Sequence, residues 1–399
     1  MGKETIDKAT IIILNWNGKP LLRQNLSFVF GQTYRNYEVL VVDNGSSDGS
    51  EKYIKNLQKK EKKLKFINTG ENLGYAGGNN VGIERILKEG KSKYVVILNN
   101  DVKVEEDWLE KLLAGFNDPE IGICTSKILL YYPYLPIAVV PQADVLLEKV
   151  CVNKLAYHSL IFPNGFAKRG QLLEFPKKLK GNEIYYIAAP YRSSRKYELE
   201  LAFKGTGLKI FNGDRKFIMK KSGCRPVTAG GQYVIQNAGS LFDKKRLLFE
   251  DRLIFEFDRP LITQLVDAGC GASMAIRCDL LKNLGAFVTK YFMYWEDSEL
   301  SYRYNKTGFK TRFIQDAVCY HWFWGSSNGK VTNVQTFYGT RNRLWFIRKY
   351  FGLFSFFYYY LRTVARTIIW GFKSFYRKDA RMFLISNLRV LKKVFASNE

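Results

Sequence analysis

Five short apolar runs in the first 125 residues each stop abruptly in polar residues, and a helix-period segment lies between each and the next. The runs are Thr10–Leu14, Tyr37–Val42, Leu64–Asn68, Tyr94–Leu98 and Ile121–Thr125. Between them, Lys19–Phe30, Ser50–Lys60, Asn79–Lys88 and Glu105–Phe116 have helical spacing. A strand buried on both faces reads as a near-continuous hydrophobic stretch rather than an alternating one. Regular strand–helix alternation predicts an α/β domain with a mostly parallel, doubly wound sheet and right-handed crossovers.

Four of these strands end in Asn15-Trp16-Asn17-Gly18, Asp43-Asn44-Gly45-Ser46, Asn68-Thr69-Gly70 and Asn99-Asn100-Asp101. Each alone also reads as a turn or a helix cap. In a parallel sheet the carboxyl ends share one edge, so four polar clusters converge on one crevice and point to a nucleotide site. Asp101, just past a buried strand, can hold a divalent cation there. Neither the dinucleotide fingerprint nor the Walker pattern is present. Gly74-Tyr-Ala-Gly-Gly-Asn-Asn80 opens a helix. Its amides can face a pyrophosphate, or the turn can be tight for packing; both readings stand.

The formal net charge of +25 implies an anionic partner. Nucleic acid, an acidic membrane face and a phosphorylated substrate all qualify, and lysine clusters such as Lys59–Lys63 also serve solubility. The six cysteines show no Cys-x-x-Cys spacing, which predicts reduced thiols rather than a zinc site or disulfide framework. Residues 1–8 are charged and precede a strand, so a leader peptide is not expected. No apolar stretch reaches the roughly 20 residues of a spanning helix.

Together, Ile11–Gly18, Val41–Ser50, Glu71–Asn80 and Leu98–Asp101 resemble the family-2 glycosyltransferases, in particular the rhamnosyltransferase-like branch with a GT-A fold. Gly271–Arg277, Phe292–Leu300 and Tyr320-His321 extend the resemblance. It implies a nucleotide-sugar-binding half at 1–128 and an acceptor-binding half at 236–335. By resemblance, Asn15, Asn17 and Asp43 grip the base and ribose of a nucleoside diphosphate sugar. Asn72, Gly74, Gly77 and Asn80 border the diphosphate, with Asn100 and Asp101 beneath it. Asn99 stands where the family usually has the first Asp, so Asp101 alone offers a carboxylate. Mg²⁺ or Mn²⁺ would then be shared with substrate phosphates and water. His321 is the second metal or diphosphate contact the resemblance implies; taken alone, a histidine among Tyr320, Trp322 and Trp324 also reads as packing.

Trp295-Glu296-Asp297-Ser298-Glu299 resembles the acceptor-side acidic motif, which makes Asp297 the catalytic base and Glu296 its rival. A placed carboxylate takes the acceptor hydroxyl's proton, and one base without a carboxylate nucleophile implies inversion. The same residues also fit a helix start with favourable acidic residues, and Glu299 with Arg303 reads as a surface pair. His158 has no motif support and reads as structural or exposed.

Two segments depart from the family. Residues 129–235 carry alternating runs (Glu183–Ala188, Tyr197–Phe203, Leu208–Phe211, Lys216–Met219) and read as a β-rich insertion. Residues 336–399 are helical, aromatic and basic, with Arg362, Arg366, Lys373 and Arg377 in one arc. That pattern fits an interfacial helix on an anionic leaflet, or a hairpin packed on the domain. The expected protein is an inverting, metal-dependent glycosyltransferase, peripheral on the cytoplasmic face of the cell membrane, with a lipid-linked or cell-surface glycan acceptor. Nucleic acid is not an expected partner. The competing class is a non-enzymatic binder of nucleic acid or membrane surfaces through the basic tail.

Overall fold

A computed structural model describes residues 6–153, 155–156, 160–163, 177–191, 197–212, 215–227, 230–322, 333–375 and 378–395. His158, Trp324 and Arg377 lie outside these residues. The first half follows the expected alternation: β1 (Ala9–Asn15), α1 (Lys19–Phe30), β2 (Tyr37–Asp43), α2 (Ser50–Gln58), β3 (Leu64–Asn68), α3 (Gly74–Glu89), β4 (Tyr94–Asn99), β5 (Val102–Val104), α4 (Trp108–Ala114) and β6 (Ile121–Leu130). Two more helices, α5 (Cys278–Leu284) and α6 (Glu296–Asn305), follow the insertion.

β3, β2, β1 and β4 are neighbours, and all three pairings are parallel. Beyond β4 the sheet turns mixed. The strand Ser273–Arg277 lies antiparallel between β4 and β6, and β6 pairs in parallel with the long strand Lys310–His321. This is the GT-A arrangement of the α/β class. β6 is therefore not the fifth consecutive parallel strand that the alternation suggests; a strand from late in the chain separates it from β4.

Side-chain alternation builds two cores from the same strands. Ile11, Ile13, Val39, Val41, Val96 and Leu98 face Leu22 and Leu26 of α1, Ile54 of α2 and Trp108 of α4. Ile12, Leu40, Val42, Val95 and Ile97 face Ile83 and Ile86 of α3, Leu280 of α5 and Leu300 of α6. Each fully buried aliphatic side chain contributes about 1.5–3 kcal/mol. The strand centres are therefore the rigid part, and their polar ends are held at fixed places along one edge.

The insertion forms a sandwich. One sheet holds Tyr134–Pro141 and Leu208–Asn212, the other Val145–Val152 and Tyr197–Lys204. Leu135, Ile137, Val139, Leu147, Leu199, Leu201 and Ile210 meet between them. Chain entry and exit adjoin: Tyr134 and Gln232 exchange two backbone hydrogen bonds of 2.8 Å, and Leu130 N donates to Val234 O at 2.8 Å.

The C-terminal segment is two helices, α7 (Asn333–Lys373) and α8 (Lys378–Lys393). α7 breaks at Gly352, whose φ of 78° and ψ of 177° are not helical. Before the break, Arg341, Asn342, Leu344, Phe346 and Ile347 are buried against the catalytic domain. This part therefore packs on the domain, the second of the two readings of the segment. After the break, Phe356 and Tyr359 pack with Val390 and Val394 of α8, so the two helices form a hairpin.

Candidate functional site

The ends of β1 and β2 are in register, Asn15 opposite Asp43, and the loops beyond them are tied together. Ser46 Oγ donates to Asp43 Oδ1 and receives hydrogen bonds from Asn15 Nδ2 (3.2 Å) and Asn17 N (2.8 Å). Ser47 N donates to Asn17 Oδ1 at 2.8 Å. Asn17 holds a left-handed backbone, φ 49°, which Asn tolerates better than most residues. Asn100 Nδ2 donates to Asn15 Oδ1 at 2.9 Å, so the ends of β1, β2 and β4 form one polar network. Asp43 Oδ2 is buried and, among the described residues, accepts no hydrogen bond. A buried carboxylate oxygen without a donor is costly unless a ligand supplies one.

The turn into α3 differs from expectation. Gly74 N donates to Asn72 Oδ1 and Ala76 N to Phe292 O, so two of the amides that could face a pyrophosphate already have acceptors, as does the preceding Leu73 N, on Asn44 Oδ1. Asn80 also leaves the site. Its amide exchanges two hydrogen bonds with the backbone of Phe287, at 2.8 and 3.1 Å, clamping α3 to the loop after α5. Gly74 is a packing glycine: φ is +73°, and a Cβ would lie 2.5 Å from Phe292 Cδ2. At Gly77, inside α3, a Cβ would lie 2.9 Å from Leu73 Cβ. Asn72 Oδ1 accepts from Gly74 N at 2.9 Å and Asn44 Nδ2 at 3.0 Å, and so shapes the turn.

At the end of β4, Asp101 Oδ1 is buried and accepts no hydrogen bond among the described residues, yet lies 3.1 Å from His321 Nε2. His321 Nδ1 is 2.8 Å from Gln236 Oε1, and a carbonyl oxygen there requires Nδ1 to donate. Nε2, which also has Asn99 Nδ2 at 3.5 Å, then turns a lone pair toward the Asp101 carboxylate, an arrangement suited to a cation between the two. Histidine ligands commonly donate their second nitrogen in this way. Among the described residues no group of three or more His, Cys, Asp or Glu side chains could hold a metal. Asp101 and His321 bring one carboxylate oxygen and one imidazole nitrogen within 3.1 Å of each other.

The acidic motif reaches the same edge by a short covalent and hydrogen-bonded path. Asn99 N donates to Ala272 O at 3.1 Å, and the neighbouring Gly271 N donates to Asp297 Oδ2 at 2.8 Å. Asp297 Oδ1 accepts from Ser298 N at 2.6 Å. Tyr75, whose hydroxyl donates to Gly271 O at 2.6 Å, lies within electrostatic reach of Asp101, Glu296 and Asp297 together. Burial pushes the Asp297 carboxyl up from its ordinary value, against hydrogen bonds from Gly271 and Ser298 that pull it down. Burial, and then the adjacent Asp297, push Glu296 well above the carboxylate range. Glu296 Oε2 is buried and accepts no hydrogen bond among the described residues. Of the two carboxyls, Glu296 is the more strongly held toward its neutral form, and Asp297 is the one that backbone and side-chain donors favour as the charged form.

Glu299 is not a surface residue. It is fully buried and accepts from Lys349 Nζ at 2.7 Å and Tyr350 OH at 2.5 Å, besides Arg303. α7 also holds the approach to Asp297. Phe292, Tyr294 and Trp295 have φ of 63°, 65° and 77°, a run that side chains disfavour. Asn342 Nδ2, fully buried, donates to the carbonyls of Tyr291, Met293 and Tyr294 at 2.8–2.9 Å. Gln236 and Asn342 were not legible as site residues, because each lies in a segment whose pattern reads only as strand or helix.

Residues 10–134 match the family model described as Glycosyl transferase family 2. An uncharacterized glycosyltransferase of Haemophilus influenzae is 33% identical over 104 residues, 26% of this chain and 40% of that protein. Glycosyltransferase GlyA of Streptococcus pneumoniae is 31% identical over 128 residues, 32% of this chain and 17% of that protein. The chain thus spans less than half the length of these relatives. The mannosyltransferase PcManGT from Pyrobaculum calidifontis, solved with GDP-Man and Mn²⁺, aligns with a TM-score of 0.48 at 13% identity, over 99% of this chain and 89% of that one. Residues 10–134, which carry Asn15, Asp43 and Asp101, match glycosyl transferase family 2, and the strands and helices of 236–321 complete their sheet.

Proposed function

We propose that this protein is an inverting glycosyltransferase that moves a sugar from a nucleoside diphosphate sugar to a glycan or lipid-linked acceptor. One observation carries the reading: Asp101 and Asp297 belong to the same sheet edge, joined through Asn99, Ala272 and Gly271. The unpartnered Asp43 Oδ2 suits a ribose hydroxyl or base N–H. Asp101 and His321 would hold Mg²⁺ or Mn²⁺, which stabilises charge on a departing diphosphate when bound. Asp297, made more basic by burial, takes the acceptor hydroxyl's proton as that oxygen attacks the anomeric carbon. Burial and the adjacent Asp297 both favour the neutral form of Glu296, which makes it a poor nucleophile and supports direct displacement with inversion.

The resemblance to the rhamnosyltransferase-like branch makes dTDP-rhamnose the first donor to test and UDP-sugars the second. Calorimetric titration with a panel of sugar nucleotides, with and without Mn²⁺, tests the reading. Metal-dependent binding of one donor supports it; failure of every donor to bind overturns it.

A further inference from the structure

The helical hairpin beyond Gly352 is apolar on the wrong side. Its inner stripe, Phe356, Tyr359, Thr363 and Thr367, is buried. Its outer stripe, Phe354, Phe357, Tyr358, Leu361, Ile368 and Phe372, recurs at i, i+3/i+4 and is exposed, up to 89% for Phe354 and 67% for Phe372. α8 adds exposed Ile385 and Leu388, and Phe375 at the hairpin turn is 84% exposed. A contiguous apolar ridge of this kind marks an interaction surface.

Charge selects the occupant. Residues 353–395 hold nine Lys or Arg and one acid, Asp379. Arg362 and Arg366 are exposed one position round from Leu361 and Ala365, and Arg381, Arg389, Lys392 and Lys393 are exposed on α8. Cations bordering an aromatic and aliphatic ridge match a surface that is anionic in its outer layer and hydrocarbon beneath. No helix among the described residues is long and apolar enough to cross a membrane, so the hairpin would lie on the bilayer. We infer that the Leu353–Phe395 hairpin docks on an anionic lipid bilayer, with Phe354, Leu361, Ile368 and Phe372 entering the acyl region and Arg362 and Arg366 at the headgroups.

This inference is independent of the catalytic reading, and its test needs no donor or acceptor. The full chain is co-sedimented with vesicles of phosphatidylcholine alone and of phosphatidylcholine mixed with phosphatidylglycerol. Wild type is expected to pellet with the mixed vesicles. Phe354→Ser with Phe372→Ser should weaken that binding about tenfold or more. Arg362→Gln with Arg366→Gln should reduce the preference for anionic lipid about tenfold or more. Circular dichroism and melting of both variants should match wild type, since these side chains support no core. The inference is overturned if wild type ignores anionic vesicles, or if both variants bind as it does. It is equally overturned if lipid-free sizing shows a wild-type dimer that Phe354→Ser with Phe372→Ser dissociates, which would assign the ridge to a second copy.

Discussion

His321 Nδ1 lies 2.8 Å from Gln236 Oε1, and that contact decides which ring nitrogen faces Asp101. Gln236 sits in the short strand Ile235–Asn237, which pairs with β6 just where the insertion rejoins the sheet. Gln236→Ala should lower Mn²⁺ affinity in the presence of nucleotide by about 10–100-fold while leaving the fold intact. Calorimetry of the ternary titration reads this directly; unchanged affinity would remove Gln236 from the metal site.

Asp297→Asn keeps the hydrogen bond to Gly271 N available but removes the base. Donor binding should persist and transfer should fall by about 10²–10⁴-fold. Full transfer activity in this variant would refute the assignment. The wild-type rate should also fall toward acid pH with a midpoint above the ordinary aspartate range, because burial raises this carboxyl and the ionised form is the active one.

Glu296 makes stability depend on pH in a stated direction. Its folded-state pKa is raised above the unfolded one, so its contribution is fully present below the ordinary glutamate range and is lost as pH climbs toward the raised value. Glu296→Gln keeps the shape without the charge. Relative to this variant, wild type should lose up to about 1.4 kcal/mol per pH unit across that window. Parallel melting curves from acid to neutral pH measure it, and curves that stay parallel contradict it.

Asn342→Ala takes the Nδ2 donor from the carbonyls of Met293 and Tyr294, while Tyr291 O keeps Arg341 Nη2 and Met293 N. The expected cost is about 2–4 kcal/mol. Turnover should fall further than donor affinity does, because the loop leads into Asp297 and not into the nucleotide edge. Equal losses in kcat and donor affinity would show that the clamp merely supports the whole fold.

Gly74→Ala places a methyl within 2.5 Å of Phe292 at a φ of +73°. Destabilisation of about 2 kcal/mol or more is expected, with melting temperature as the readout. An unchanged melting temperature would mean the donor and acceptor halves are less tightly apposed here than the contact implies.

The parallel half was legible because each buried strand is short and uniformly apolar and each helix has a clear period; Lys19–Phe30 and Leu64–Asn68 coincide with the expected bounds. The remainder depended on long-range pairing. No local pattern brings Ser273–Arg277 between β4 and β6, and the buried state of Glu299 is created by Lys349 and Tyr350, some fifty residues away. Asn80 and the α3 amides illustrate the opposite error. Their residue types suit a phosphate, but neighbours within the protein reach them first.

Tyr134 and Gln232 close the base of the insertion with a reciprocal pair of bonds, so the entire sandwich hangs from the sheet like the tip of an overgrown hairpin. Replacing 135–231 by a tight turn would preserve every ladder of the catalytic sheet. This region can therefore lengthen, shrink or change its charge through evolution, or be exchanged in the laboratory, while the machinery at the strand ends keeps its alignment.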